Sequence, residues 1–357
     1  MSPRVRGTRR PVGDSPMTDA GVGRAVAEVT DLHVHFPIRH GRHRLVARAV
    51  DGVDLTLHER EIVALVGESG CGKTTIARTI MRLHEPTSGT ISIGAVDITH
   101  LGGRKLRAMR RDFQMIFQDP FESLPANSTA FEVVAEGLSI HRRDLDTAHR
   151  RQATLGALTA CGLPETVAGR RMFELSGGQR QRVAIAAAVA VEPRLLVADE
   201  PVSMLDVSLR AGILRVLLDL RERLGIATLF ITHDLALAGV FADRVAVLYL
   251  GRIVEQGVGT EVIANPAHPY TRALVDVMPK PGGRRSARAL LAGEPPNPTT
   301  VAAGCRFAAR CPLFKELGEP ERCTTESPAL RSISAEHAVA CHFSDTTALS
   351  TAKENIA

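Results

Sequence analysis

An α/β fold built on a mostly parallel sheet is predicted by three observations. Short apolar runs recur along the chain and alternate with segments of helical period. A glycine-rich loop lies directly between one such run and a helical segment. The longest apolar run, VAIAAAVAV at 183–191, has nine residues and is bounded by Arg182 and Glu192. It reads as a buried helix, far short of the roughly 20 apolar residues a membrane-spanning helix needs.

The elements follow in order. Residues 1–24 are rich in Arg, Gly and Pro and read as a disordered basic tail. VAEVTDLHVHF (26–36) has the pattern of a strand, PIRHGRHR (37–44) reads as a polar hairpin loop, and strand pattern resumes over 45–57. EIVALVG (61–67) is a short buried strand, and a helix is expected over 73–83. Strands are expected again at 89–93 and at QMIF (114–117). The stretch 131–161 is helical in period, and a helix over 179–191 is stopped by Pro193. LLVA (195–198) is a buried strand, and the helix expected over 208–224 ends at Gly225, a fitting C-cap. ATLFI (227–231), VAVLY (245–249) and RIVEQG (252–257) are strands. Beyond residue 265 Pro and Gly become frequent, as in PKPGGRR and GEPPNP, and few regular elements are expected. No internal repeat is visible.

Composition narrows the classes. The 357 residues are 44% hydrophobic but only 4% aromatic, with no Trp, so two domains and an aliphatic core are expected. Five Arg against two Asp within residues 1–24 supply +3 of the formal charge of +5. The remainder is nearly balanced, which argues against nucleic-acid binding. The N-terminus lacks an apolar h-region after its arginines, so a cytosolic protein is expected. Of six Cys, Cys305, Cys311, Cys323 and Cys341 fall within 37 residues. Such clustering in a cytosolic chain points to metal or redox chemistry before disulfides.

GESGCGKTT (67–75) follows a strand and opens a helix. Gly67, Gly70 and Gly72 let the backbone curl so that its N–H groups, including those of Glu68, Ser69 and Cys71, face a phosphate. Cys71 carries no chemistry of its own. Lys73 can reach the β- and γ-phosphates of a nucleotide, the Thr74 hydroxyl can ligate Mg²⁺, and Thr75 can donate to an α-phosphate. Downstream, LLVADE (195–200) ends a buried strand on two carboxylates. Asp199 is suited to Mg²⁺, and Glu200, one step further, to the attacking water as general base. An apolar run before Asp-Glu is weak evidence alone; its position after a phosphate loop gives it weight.

LSGGQ (175–179), followed by RQR, lies between these two motifs and resembles the signature of ABC ATPases. The resemblance spans residues 26–343. It implies an ABC-type P-loop ATPase domain with a mostly parallel core sheet, an antiparallel β subdomain and a helical subdomain. It also implies a head-to-tail pair of such domains, with each ATP between the phosphate loop of one and the signature of the other. Ser176, Gly177, Gly178 and Gln179 then resemble the residues that meet the γ-phosphate across the pair. Gln118 in FQDP resembles the Q-loop glutamine, which contacts Mg²⁺ and water near the transmembrane partner. Ser203 to Asp206 resemble the D-loop, and His233 in ITHD the switch histidine on the γ-phosphate. Phe36 matches the aromatic that stacks on adenine; an edge-strand or core Phe is the alternative.

AVDGVDLTL, VGESGCGKTT, FQDPFESL, VADEPVSMLDVS and NPAHPYTRAL resemble the oligopeptide/dipeptide importer ATPases, as does a tail carrying GEPPNP, GCRFAARCP and VACHF. FESLPANSTA and Ala187-Ala188 depart from the usual pattern, away from the phosphate chemistry. The resemblance implies an ATPase that powers uptake of peptides, in a group that also takes nickel complexes, glutathione and antimicrobial peptides. Implied partners are a second ATPase subunit, two transmembrane permeases and, indirectly, an extracytoplasmic solute-binding protein. It places the chain on the cytoplasmic face of the membrane. A soluble ABC protein acting on nucleic acid would carry two cassettes or a coiled-coil insertion, and neither is seen. Implied boundaries are a nucleotide-binding domain over 25–265, a C-terminal domain with the four Cys over 266–345, and a disordered tail over 346–357. The Cys gaps of five, eleven and seventeen residues suit a [4Fe–4S] cluster or Zn²⁺ and do not choose between them. The resemblance implies the cluster.

Overall fold

Strands that read as unbroken apolar runs must be covered on both faces. In the computed structural model IVALV, LLVAD and ATLFIT are buried at every position. The structure describes residues 23–40, 43–119, 124–278, 296–301 and 303–344. The tails expected over 1–24 and 346–357 lie outside these residues, apart from Gly23 and Arg24.

The chain begins with β1 (Ala25–His40), β2 (His43–His58), β3 (Ile62–Val66) and α1 (Lys73–Ile80). β4 (Ser88–Ile93), β5 (Val96–Asp97), α2 (Gly103–Met109) and β6 (Phe113–Ile116) follow. Then come α3 (Ala130–His141), α4 (Thr147–Ala160) and α5 (Gly177–Val189). β7 (Leu195–Asp199), α6 (Val207–Leu224), β8 (Ala227–Thr232), α7 (Leu235–Phe241), β9 (Arg244–Tyr249) and β10 (Arg252–Val258) complete the sheet's main strands. α8 (Gly259–Ala264) and α9 (Pro269–Asp276) precede the tail, which forms α10 (Pro312–Glu316), α11 (Glu321–Thr325), β11 (Arg331–Ser334) and β12 (His337–Val339).

One sheet has the order β11-β12-β10-β9-β3-β8-β7-β6, and a second has β2-β1-β4-β5. β9, β3, β8, β7 and β6 run parallel. The second sheet is antiparallel. Side chains alternate across β3, so the large sheet feeds two cores. Ile62, Ala64 and Val66 join the helical side, with α3, α5 and α6. Val63 and Leu65 join the side shared with α1 and the antiparallel sheet.

Three expectations change. The polar stretch at 37–44 is mostly strand, because β1 and β2 stay paired out to His40 opposite His43. Ladder hydrogen bonds are backbone groups and do not require apolar side chains. The helical stretch at 131–161 is two helices. Asp146 accepts from the His149 N–H and so starts α4 afresh, and a Thr129–Glu132 capping box starts α3. The tail is also more regular than expected, since β12 pairs antiparallel with β10 and extends the large sheet.

The tail is fastened by one buried carboxylate. Glu255 accepts from the Ala267 N–H (2.7 Å), the His268 N–H (2.8 Å) and lies 2.7 Å from His337 Nε2. A fully buried carboxylate is tolerable only with such a set of partners. Beside it the expected aliphatic core gives way to an aromatic seam. Tyr249, Tyr270 and Phe307 pack with centroids 4.7 to 5.5 Å apart. We predict that Phe307→Ala lowers unfolding stability by about 3–5 kcal/mol, as a truncated buried ring does. Denaturant melts would give the magnitude, and amide exchange should rise in β12 before it rises in β3.

Candidate active site

The phosphate loop leaves β3 at Gly67. A Cβ there would lie 2.3 Å from the Leu248 carbonyl oxygen and 2.8 Å from Cys71 Sγ, so only glycine fits. Gly72 closes the loop in a left-handed conformation (φ 112°), with its Cα facing the Ala49 carbonyl at a distance that excludes a side chain. α1 starts at the next residue, and its first turn holds no acidic side chain to oppose a phosphate. Lys73 is buried and curls over the loop: its Nζ donates to the Gly67 carbonyl (2.7 Å) and the Glu68 carbonyl (3.0 Å). Cys71 is buried as well, and burial pushes its thiol above the usual range. Ser69 and Gly70 are exposed at the loop's mouth, and Thr75 is half-buried.

The Thr74 hydroxyl donates to Asp199 Oδ1 over 3.3 Å, which joins α1 to the end of β7. Burial raises the Asp199 carboxyl, the Thr74 bond opposes that, and the Glu200 charge adds to it. Glu200 itself takes a left-handed backbone conformation (φ 47°), a costly place for a residue with a side chain. Its N–H donates to the Ile231 carbonyl (3.0 Å), and its carbonyl accepts from the Ser203 N–H (3.2 Å) and hydroxyl (3.0 Å). The backbone is thus clamped and the carboxylate is aimed away from the strand.

Two more sequence-derived residues reach that carboxylate. Gln118 Nε2 donates to Glu200 Oε2 at 3.5 Å, and His233 Nδ1 lies 3.3 Å from the same oxygen. Gln118, Glu200 and His233 therefore meet at one oxygen although they belong to three separate loops. Phe36 stands at 37% exposure with its ring edge-on to His84, centroids 5.7 Å apart.

The signature residues stand elsewhere. Ser176 caps α5: its hydroxyl accepts from the Gln179 N–H (3.3 Å), and the Ser176 N–H donates to Gln179 Oε1 (3.0 Å). Gly178 packs under Leu209. Among the described residues no hydrogen bond or ion pair links Ser176, Gly177, Gly178 or Gln179 to the phosphate loop. Nearby, Met204 and Val207 are exposed apolar side chains.

Cys305, Cys311, Cys323 and Cys341 line one small cavity together with His268, Phe307 and Phe314. The Cys305 N–H donates to the Cys323 carbonyl at 2.8 Å. Burial raises all four thiols, Cys305 to about 11 and Cys311 to about 12.

Two arrangements were not visible in the sequence. Glu68, assigned to the nucleotide by its place in the loop, turns its carboxylate to Arg310 (2.8 and 3.2 Å). Asp51 sits among His33, His35, Arg252 and Arg306. Burial pushes its carboxyl up, but Arg306, the two imidazoles and Arg252 outweigh that and hold it at about 2. His33, His35 and Asp51 have donor atoms within 4.8 Å of one another. The surrounding guanidinium groups make this an ion-pair hub, and they repel a metal cation. The only signal for either arrangement was the frequency of Arg in the tail.

Residues 50–203 match the family described as ABC transporter, and residues 254–316 match the oligopeptide/dipeptide transporter C-terminal region. The probable peptide ABC transporter ATP-binding protein y4tS of Sinorhizobium fredii is 43% identical over 322 residues, 89% of this chain and 90% of that protein. The oligopeptide transport ATP-binding protein AppF of Bacillus subtilis is 41% identical over 326 residues, 89% and 97% of the two chains. The dimeric structure of MJ0796, a bacterial ABC transporter cassette, is similar at a TM-score of 0.58 and 30% identity, over 65% of this chain and 98% of that one.

Proposed function

The chain belongs to the ATP-binding subunits of ABC transporters that carry the oligopeptide/dipeptide transporter C-terminal region, and on that footing we propose that it hydrolyses ATP to drive uptake of peptides. The observation that carries the ATPase reading is the meeting of Gln118 and His233 at the Glu200 carboxylate, next to the Thr74–Asp199 pair. The peptide reading rests on the two family matches and on relatives named for peptide transport.

ATP phosphates lie on the loop's remaining N–H groups, since those of Glu68 and Cys71 are bonded to the Tyr270 hydroxyl and the Glu68 carbonyl, and Lys73 exchanges its two carbonyl partners for β- and γ-phosphate oxygens. Thr75 donates to the α-phosphate, and the Phe36 ring stacks on adenine. Thr74, Asp199 and Gln118 offer the hard oxygen donors that suit Mg²⁺, which would neutralise charge between the terminal phosphates. Glu200 accepts the proton of the attacking water, and His233 holds the γ-phosphate. Its strained backbone fixes the direction of that carboxylate before the substrate arrives.

The missing wall is a neighbour's. Ser176 is exposed at the start of α5, Gly177 and Gln179 are half-buried and Gly178 is buried, and we assign this helix start to the γ-phosphate held by a second ATPase chain. Exposed Met204 and Val207 beside them supply apolar contact for that neighbour. Two permeases complete the machine, and a solute-binding protein acts through them. Among the described residues no helix is long and apolar enough to cross a membrane. In this reading the permeases hold the chain at the cytoplasmic face. Residues 25–265 form the nucleotide-binding part and 266–345 the cysteine-bearing part.

We propose that the four thiols, which line one cavity, hold a [4Fe–4S] cluster, with Zn²⁺ the alternative. A cluster held there would clamp a segment of short helices and turns.

Glu200→Gln is expected to bind ATP as the parent does and to lose turnover by a factor of at least about 100. Binding of a fluorescent ATP analogue and phosphate release, in vesicles with permeases and binding protein, would check both; peptide uptake should fall in parallel. Wild-type turnover in the variant removes Glu200 from its role. Protein purified without oxygen should carry iron and acid-labile sulfide, and Cys311→Ser should lose both. Iron-free protein of unchanged fold argues against the cluster.

A further inference from the structure

The back of the phosphate loop is held by side chains from beyond the cassette's own motifs. Glu68, its second residue, is gripped from two sides. Its N–H donates to the hydroxyl of Tyr270, a fully buried residue of α9, at 3.0 Å. Its carboxylate takes both arms of the Arg310 guanidinium, at 2.8 and 3.2 Å. Arg310 is only 7% exposed, and its Nη1 also donates to the Tyr249 hydroxyl at 3.4 Å. It is the last residue before Cys311.

Arg306, the residue after Cys305, repeats the pattern one turn away. It donates to the Leu250 carbonyl and to Asp51. The Leu250–Gly251 turn in turn supports the loop, since the Gly251 N–H donates to the Cys71 carbonyl at 2.7 Å. Lys73 is bonded to the carbonyls of Gly67 and Glu68, and Glu68 is the residue that Tyr270 and Arg310 hold. A displacement of Glu68 therefore moves the lysine that meets the nucleotide.

We propose that the cysteine-bearing segment braces the phosphate loop, and that Arg310 is a positioning residue which, through Glu68, sets the affinity for ATP. The proposal rests on the ATPase reading above. A bidentate guanidinium–carboxylate pair is directional as well as strong, and here it is largely withdrawn from water. Arg310 acts on the shape of the backbone that binds the phosphates. Its loss should therefore weaken nucleotide binding and leave the chemical step, governed by Glu200, nearly as fast once ATP is bound.

The test uses the full-length chain. ATP affinity is measured by titration calorimetry for the parent, Arg310→Ala, Arg310→Lys, Glu68→Gln and Arg310→Ala/Glu68→Gln. KM and kcat for ATP are measured on the same set in the assembled transporter. Expected are an affinity loss of about tenfold for Arg310→Ala and for Glu68→Gln, no further loss in the double variant, partial recovery with Arg310→Lys, and, for the two Arg310 single variants, a rise in KM with kcat within about twofold. Thermal melts confirm that the conservative Glu68→Gln and Arg310→Lys proteins are folded. Parental affinity in Arg310→Ala and Glu68→Gln overturns the inference and leaves the ATPase reading standing. So does an additive loss in the double variant, or a fall in kcat at unchanged KM. A parent protein that binds no ATP overturns both.

Discussion

The phosphate loop has no slack behind it. Gly67 presses on the Leu248 carbonyl and Gly72 on the Ala49 carbonyl, so the loop is wedged between the large sheet and the antiparallel one. That wedge fixes where α1 begins, and with it Lys73 and Thr74. From Thr74 the arrangement passes to Asp199 at the end of β7, and from there to Glu200. Close packing of two sheets on one loop is therefore what makes a phosphate site out of glycines that would otherwise be mobile.

The Glu200 side of the candidate site depends on a different device. Glu200 holds a left-handed backbone that its neighbours enforce through Ile231 and Ser203. The carboxylate then becomes the meeting point of Gln118 and His233, one from the loop after β6 and one from the loop after β8. These loops follow the parallel strands on either side of β7, at the ends where such sheets present their ligands. Among the described residues no hydrogen bond or ion pair joins the exposed Ser176 cap to this carboxylate.

The parts legible in the sequence were those written in adjacent residues. The loop at 67–75, the strand ending at Asp199 and the helix stopped by Gly225 each depend on local spacing, and each forms where expected. The Gly225 stop follows from a left-handed C-cap that few other residues adopt. What failed was reading polarity as loop: 37–44 is mainly strand because pairing is decided by the partner chain segment, not by side-chain character. What was invisible was contact across long separations. Arg310 and Glu68 are 242 residues apart, and Arg306 and Asp51 are 255 apart. No local pattern encodes such pairs, and the same holds for β12 joining β10.

The central claim is that this chain offers half of an ATP-hydrolysing site and needs a second ATPase chain for the rest. The direct measurement is specific ATPase activity across a dilution series, with mass read in parallel by sedimentation, with and without a candidate partner subunit. Activity should track the paired fraction and vanish as the monomer takes over. A monomer that hydrolyses ATP at the full specific rate would contradict the claim.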